Sequence, residues 1–169
     1  MRPLGLFLIA TTIVAGCLAG PSPVNAETPA KTSDNWLLDA KDDTERFQRI
    51  QQMFGGFSMS MQIVGERYDR TYDAITDGNY DLANYHWKKI KETIELGTLR
   101  RPARAANAEA LFLKGPWGAV SDALTAKDKV KAREQFLMAR SACLACHVAE
   151  KVPFMNDQPR FRRTAAFPK

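Results

Sequence analysis

The chain is poor in the residues that disulfide frameworks and closed metal sites require. Its 169 residues include three cysteines and two histidines. Cys17 lies in an N-terminal segment that reads as removed or lipidated, so the two cysteines left are too few for a disulfide scaffold. A tetrahedral zinc site would have to recruit His86, the one histidine outside the Cys143–His147 stretch, as its fourth ligand. There is no second apolar run long enough to cross a bilayer, no strict alternation that demands a strand, and no internal repeat. A Ser-His-Asp set, a phosphate loop and a paired-carboxylate motif are all missing, so hydrolytic and group-transfer chemistry have no basis in the sequence. Nor is there a large excess of one charge. The 24 basic and 19 acidic residues give a net +5. That is mildly basic, and nucleic acid is not expected as a partner.

What the chain does have is Cys143-Leu144-Ala145-Cys146-His147. C-x-x-C-H is the attachment signature of a c-type haem. Two thiols add across the two vinyl groups of the macrocycle and become thioethers, and the histidine that follows coordinates the iron. On a helix these three residues, at i, i+3 and i+4, share one face. C-x-x-C also suits a thioredoxin-like redox pair or half of a zinc site. The redox pair wants a βαβ context, and zinc wants two more ligands.

The first residues read as an export signal. Arg2 supplies the positive region, and Leu4 to Ala15 is a nearly unbroken apolar run, too short to span a membrane as a mature helix. Two processing sites compete. Val24-Asn25-Ala26 presents small residues to a signal peptidase, so that residues 1–26 are removed. Val14-Ala15-Gly16-Cys17 resembles a lipobox, which would make Cys17 a lipid anchor. Either outcome places the domain in the periplasm, soluble or lipid-anchored. Residues 27–42 read as a flexible spacer. Roughly 140 residues remain after processing, enough for one domain.

Residues 43–152 read as helices. The first long element starts near Asp43. Phe47, Ile50, Phe54, Phe57, Met61, Val64, Tyr68, Tyr72 and Ile75 recur at spacings of three and four, which makes one apolar stripe. Gly55-Gly56 should loosen or kink it, and Asp77-Gly78-Asn79 ends it. A second helix spans about Tyr80 to Leu96, with Ala83, Trp87, Ile90 and Ile94 inward and Gly97 as a C-cap. A short helical piece around Ala108 to Leu113 is broken by Gly115-Pro116. The third main helix, about Trp117 to Ala126, turns Trp117, Val120 and Leu124 inward. The fourth begins at Asp128, an N-cap, and reaches about Glu150. Its stripe of Ala132, Phe136 and Ala139 runs on into Cys143 and Cys146, so the motif continues a core face. Residues 153–169 read as an irregular tail packed loosely over one end. The architecture expected is all-α, an antiparallel four-helix bundle with one covalent haem c on its last helix.

Four helices with C-x-x-C-H on the last one resemble the class II c-type cytochromes, namely cytochrome c prime and its methionine-ligated low-spin relatives. The resemblance covers most of the mature chain in pattern and is specific in the haem motif. It implies thioethers at Cys143 and Cys146 and a proximal ligand at His147. It implies a distal ligand on the first helix, about eighteen residues before a Phe/Tyr-Asp pair, here Tyr80-Asp81. Met61 meets that position and also lies on the inward stripe, whereas Met53 and Met59 do not. The family often carries an aromatic and then a basic residue at the third and fourth positions after the histidine, and this chain has Glu150 and Lys151. Its tail is longer and contains Met155, a further candidate sulfur ligand. Relatives often dimerise through their first two helices, which makes a second copy a candidate partner.

Among single residues, Trp87 and Trp117 suit core or haem-edge packing. Of the basic loop Arg100, Arg101 and Arg104, Arg104 is the candidate to hold a haem propionate, since a guanidinium fork matches a carboxylate. His86 is by default a flank residue and secondarily an axial ligand. The function expected is an exported monohaem c-type cytochrome that carries electrons by Fe(II)/Fe(III) cycling to a redox partner protein, rather than an enzyme. The alternative, should Met61 stay off the iron, is a haem protein that binds or senses NO or CO at an open sixth site. A peroxidase-like enzyme would need a polar distal acid–base group, which the first-helix stripe does not offer.

Overall fold

The computed structural model describes residues 34–169. The signal and lipobox, Cys17 and the first part of the spacer lie outside the described residues. Among those described, the structure is all-helical, with no strand, and no helix is long and apolar enough to cross a membrane.

Helix α1, Asp43–Phe54, starts at Asp42, whose carboxylate accepts from the Glu45 amide at 2.8 Å. Glu45 in turn accepts from the Lys41 amide at 2.9 Å, one residue before the cap, which ties the entering chain to the first turn. The expected continuous first helix is in fact two. Gly55 adopts φ +65, closes α1 through its amide to Gln52 O at 3.0 Å, and Gly56 opens α2, Phe57–Thr76. A left-handed residue ends an α-helix rather than bending it. The apolar stripe therefore divides. Tyr68, Tyr72 and Ile75 on α2 are buried, whereas α1 buries nothing, and Phe47 and Phe54 keep 66% and 58% of their surface.

Helix α3, Tyr80–Arg100, follows a tight turn at Asp77-Gly78-Asn79, and Asn79 caps it by accepting from the Leu82 amide at 3.1 Å. The expected inner face holds, with Ala83, Trp87, Ile90 and Ile94 all buried. Gly97 is not the C-cap. It lies inside the helix, where a Cβ would come within 2.9 Å of the Phe57 ring and of Ser60 Oγ. The glycine thus lets the last turns of α3 meet the first turn of α2, so the two helices run antiparallel. The helix stops at Arg101, just before Pro102, because a residue preceding proline is pushed out of the helical region.

The chain then passes through a 3₁₀ turn at Pro102–Arg104, one α-turn, α4, at Ala105–Ala108, and a π-helical turn at Glu109–Leu113. Helix α5, Pro116–Thr125, buries Val120, Ala123 and Leu124. Helix α6, Lys129–Ala149, begins at Asp128, whose carboxylate accepts from the Lys131 amide at 3.0 Å. Helices α2, α3, α5 and α6 enclose one apolar core. At its centre Phe136 lies 4.8 Å from the Tyr68 ring and 6.1 Å from Trp87. Trp87 and Trp117 exchange bonds, each indole N–H donating to the other's carbonyl, at 2.8 and 3.1 Å. This locks α3 to α5.

The tail departs most from expectation. It forms a 3₁₀ turn at Pro153–Asp157 and helix α7, Pro159–Arg163, and it is firmly docked. Phe161 and Thr164 are buried. Tyr68 Oη and Thr164 Oγ1 are 2.8 Å apart, and Tyr72 donates to Ala166 O at 2.7 Å. Arg140 donates twice to Phe161 O, at 3.1 and 2.8 Å. Arg163 pairs with Asp69 and Asp73 of α2. The docking contacts are isolated aromatic and arginine side chains without helical periodicity, so pattern-reading misses them.

Candidate functional site

The site is built on the last two turns of α6. Cys143, Cys146 and His147 follow the fully buried Ala132, Phe136 and Ala139 on the same stripe, and each is half-buried. Burial pushes the Cys143 thiol up to about 12, with the neighbouring Cys146 adding to the effect. Burial also raises Cys146, although the positive charge of Arg104 acts against it. A dithiol redox pair needs a readily formed thiolate, and burial works against one at both thiols. Among the described residues, no three Cys, His, Asp or Glu side chains converge as ligands for one metal ion. A haem makes a different demand: two sulfurs for the rim of the macrocycle and an imidazole nitrogen for its iron.

The imidazole meets that demand. His147 Nδ1 lies 2.8 Å from Asn156 Oδ1, and Asn156 Nδ2 donates to Leu144 O at 3.2 Å. The second bond fixes the first. Leu144 O can only accept, so the amide nitrogen must face it and Asn156 Oδ1 must face the ring. An amide oxygen only accepts, so Nδ1 carries the proton. Nε2 is then the nitrogen with the free lone pair, as metal-ligating histidines require. The Phe161 ring stands edge-on to the imidazole at 5.7 Å and 72°. A haem c fits this set of residues.

The other candidates divide. Arg104 lies at the C-terminal end of α6, donating to Glu150 O at 3.3 Å and pairing with the Glu150 carboxylate, which also accepts from Asn107 Nδ2 at 2.7 Å. Its guanidinium is close to the motif but engaged by the protein. Met61 is half-buried against the core from α2. Tyr72 and Tyr68 both flank Phe136, and Tyr68 also senses Cys143. Moving back along α2 thus means moving forward along α6. Met61 is seven residues before Tyr68, about 10 Å of helix at 1.5 Å per residue, towards the His147 end of α6.

No protein family, curated protein or solved structure matches the chain.

Trp87 is fully buried in the core. Its aromatic contacts are Phe112 and Phe136, and Phe136 is two turns before Cys143. It is a core residue. His86 is buried on α3, where Nδ1 accepts from Arg67 at 3.0 Å. Burial, then the Arg67 charge, lowers its pKa. Sequence reading missed Asn156 and Phe161, which lie in the tail taken for irregular chain. Two prolines, Pro153 and Pro159, bracket Asn156 and were the available sign of a defined turn.

Proposed function

We propose that this chain is a periplasmic monohaem c-type cytochrome of the class II kind, an electron carrier rather than an enzyme. Helices α2, α3, α5 and α6 would form its antiparallel four-helix haem bundle. One observation carries the reading: beside a half-buried thiol pair, Asn156 holds His147 with Nε2 available as a ligand. Cys143 and Cys146 would bind the haem covalently and His147 would hold its iron. When bound, the haem supplies a one-electron Fe(II)/Fe(III) couple. The protein's part is to bury the group, fix the imidazole and keep water away. Met61, half-buried on α2, is the candidate second ligand from the protein, and a redox protein is the partner. Residues 1–26 would serve as the export signal, with lipidation at Cys17 as the competing outcome.

The test is to express the full chain in a host that exports it and ligates c-type haem. Intact mass should show one haem added, and Cys143→Ser and Cys146→Ser should each remove one thioether link. A wild-type chain without the adduct would refute the reading. In the haem-loaded protein, Met61→Ala should convert a low-spin spectrum to a high-spin one that binds CO. A wild-type spectrum already high-spin and unchanged by M61A would instead favour binding of a small gas at an open site.

A further inference from the structure

Asn156 touches neither thiol, and the C-x-x-C-H motif does not require it. It nevertheless makes a side-chain hydrogen bond to His147, the one that ring has among the described residues, and it is held on both sides. Its segment is anchored from several directions: Val152 N to His147 O at 2.9 Å, Gln158 Nε2 to Met155 O at 2.9 Å, and Arg140 to Phe161 O. Beyond it, Thr164 and Ala166 are bonded to Tyr68 and Tyr72 of α2. Asn156 therefore cannot drift from the ring without undoing the tail.

We propose that Asn156 is the positioning residue of the proximal histidine: through Nδ1 it fixes the tautomer and orientation of the His147 ring and sets how strongly Nε2 donates to iron. This inference rests on the haem reading above. The chemistry is that of an outer partner on a metal-bound imidazole. A hydrogen bond from Nδ1–H to an acceptor raises the basicity of the other nitrogen, and a stronger acceptor raises it further. A more basic axial ligand stabilises the ferric state. A neutral amide is an intermediate setting, between a carboxylate, which would draw the ring towards imidazolate, and an apolar side chain, which would leave Nδ1–H unpaired. The tail thereby acts as a tuning element and not merely as a cover over one end of the core.

The test compares the haem-loaded full chain with Asn156→Asp and Asn156→Leu, reading the reduction potential and, in ferrous protein that also carries Met61→Ala and so leaves the iron five-coordinate, the iron–histidine stretching band in resonance Raman spectra. The carboxylate variant should lower the potential and raise the band frequency. The leucine variant should do the reverse. The two should differ by at least tenfold in the ferric–ferrous equilibrium, about 59 mV for a one-electron couple. Thermal melting, read in parallel, separates structure from tuning. If both variants melt lower while potential and band stay at wild-type values, Asn156 is a structural residue and the inference fails. Should N156L not fold, the direction of the N156D shift decides alone, and an unmoved or raised potential overturns the proposal. Wild-type protein that carries no haem by intact mass would sink the haem reading itself, an outcome visible before any variant is made.

Discussion

Along α6, Ala132, Phe136 and Ala139 expose no surface, whereas Cys143, Cys146 and His147, on the continuation of the same stripe, are half-buried. The first set lies in the apolar core, where Tyr68, Tyr72, Trp87 and Phe167 all stand within 6.1 Å of the Phe136 ring, centroid to centroid. In the second, His147 is met by single contacts from a docked tail, Asn156 and Phe161. One helix therefore combines a rigid anchor with a chemically equipped end. The anchor determines where the equipped end stands. A site is held best when the residues that carry it sit on an element whose other end cannot move.

That contrast can be broken most directly at the anchor. Phe136→Ala should cost about 3–5 kcal/mol, the usual range for deleting a large aromatic from a packed core, read by chemical denaturation. Because the loss is at the rigid end, His147 should lose its defined ring environment as well. A variant with native stability would show that the site end supports itself. Trp87→Phe is the next step down. It leaves Trp117 O without its indole donor, for about 1–3 kcal/mol. Gly97→Ala falls in the same range, about 1–3 kcal/mol, because the new methyl meets the Phe57 ring and Ser60 Oγ at 2.9 Å.

The anchor was largely legible in the sequence, and the tail was not. Ala83, Trp87, Ile90 and Ile94 on α3, and Ala132, Phe136 and Ala139 on α6, repeat at helical spacing because each must face one core, and periodicity records that requirement. The same rule overreached on α1. Phe47 and Phe54 fit the stripe numerically, but Gly55 at φ +65 ends the helix before the stripe can reach the core. Gly97 misled in the opposite way. A glycine near a helix end has two explanations, a left-handed cap or a close helix crossing, and only the crossing partner Phe57 decides between them. At the site, spacing revealed Cys143, Cys146 and His147 because they lie on a single turn. Asn156 comes from a separate segment, and its role depends on a contact that no local pattern encodes.

On the equipped side, Tyr68→Phe sharpens the comparison. It removes the hydroxyl that meets Thr164, while Thr164 still donates to Arg160 O at 2.8 Å. A loss of about 1 kcal/mol is expected, with faster hydrogen exchange confined to the tail. Equal acceleration along α6 would mean that the tail and the anchor open together.

A pH dependence separates α3 from both. Burial and Arg67 lower the His86 pKa in the folded protein, so the unfolded chain binds this proton more readily. Stability is then complete above the unfolded value of about 6.5 and falls as pH drops below it towards the folded value. Protonation would also cost Nδ1 its role as acceptor for Arg67. His86→Gln should flatten that part of the stability profile. A slope unchanged by H86Q would assign it to other groups.

The smallest effect belongs to the helix that shares the apolar stripe by number but not by burial. Phe47→Ser and Phe54→Ser remove large side chains that are more than half exposed, from a helix with no buried residue. Exposed positions without special contacts change stability by no more than about 0.5 kcal/mol. Phe54 is the sterner case of the two, because the Arg100 guanidinium lies 5.4 Å from its ring and donates to its carbonyl at 3.2 Å. The cation–ring contact is solvent-exposed and adds about 0.5–1 kcal/mol at most, so F54S should cost slightly more than F47S, and both should cost far less than F136A. If either matched F136A in denaturation, α1 would belong to the same cooperative unit as α6, and the division at Gly55 would be one of backbone geometry alone.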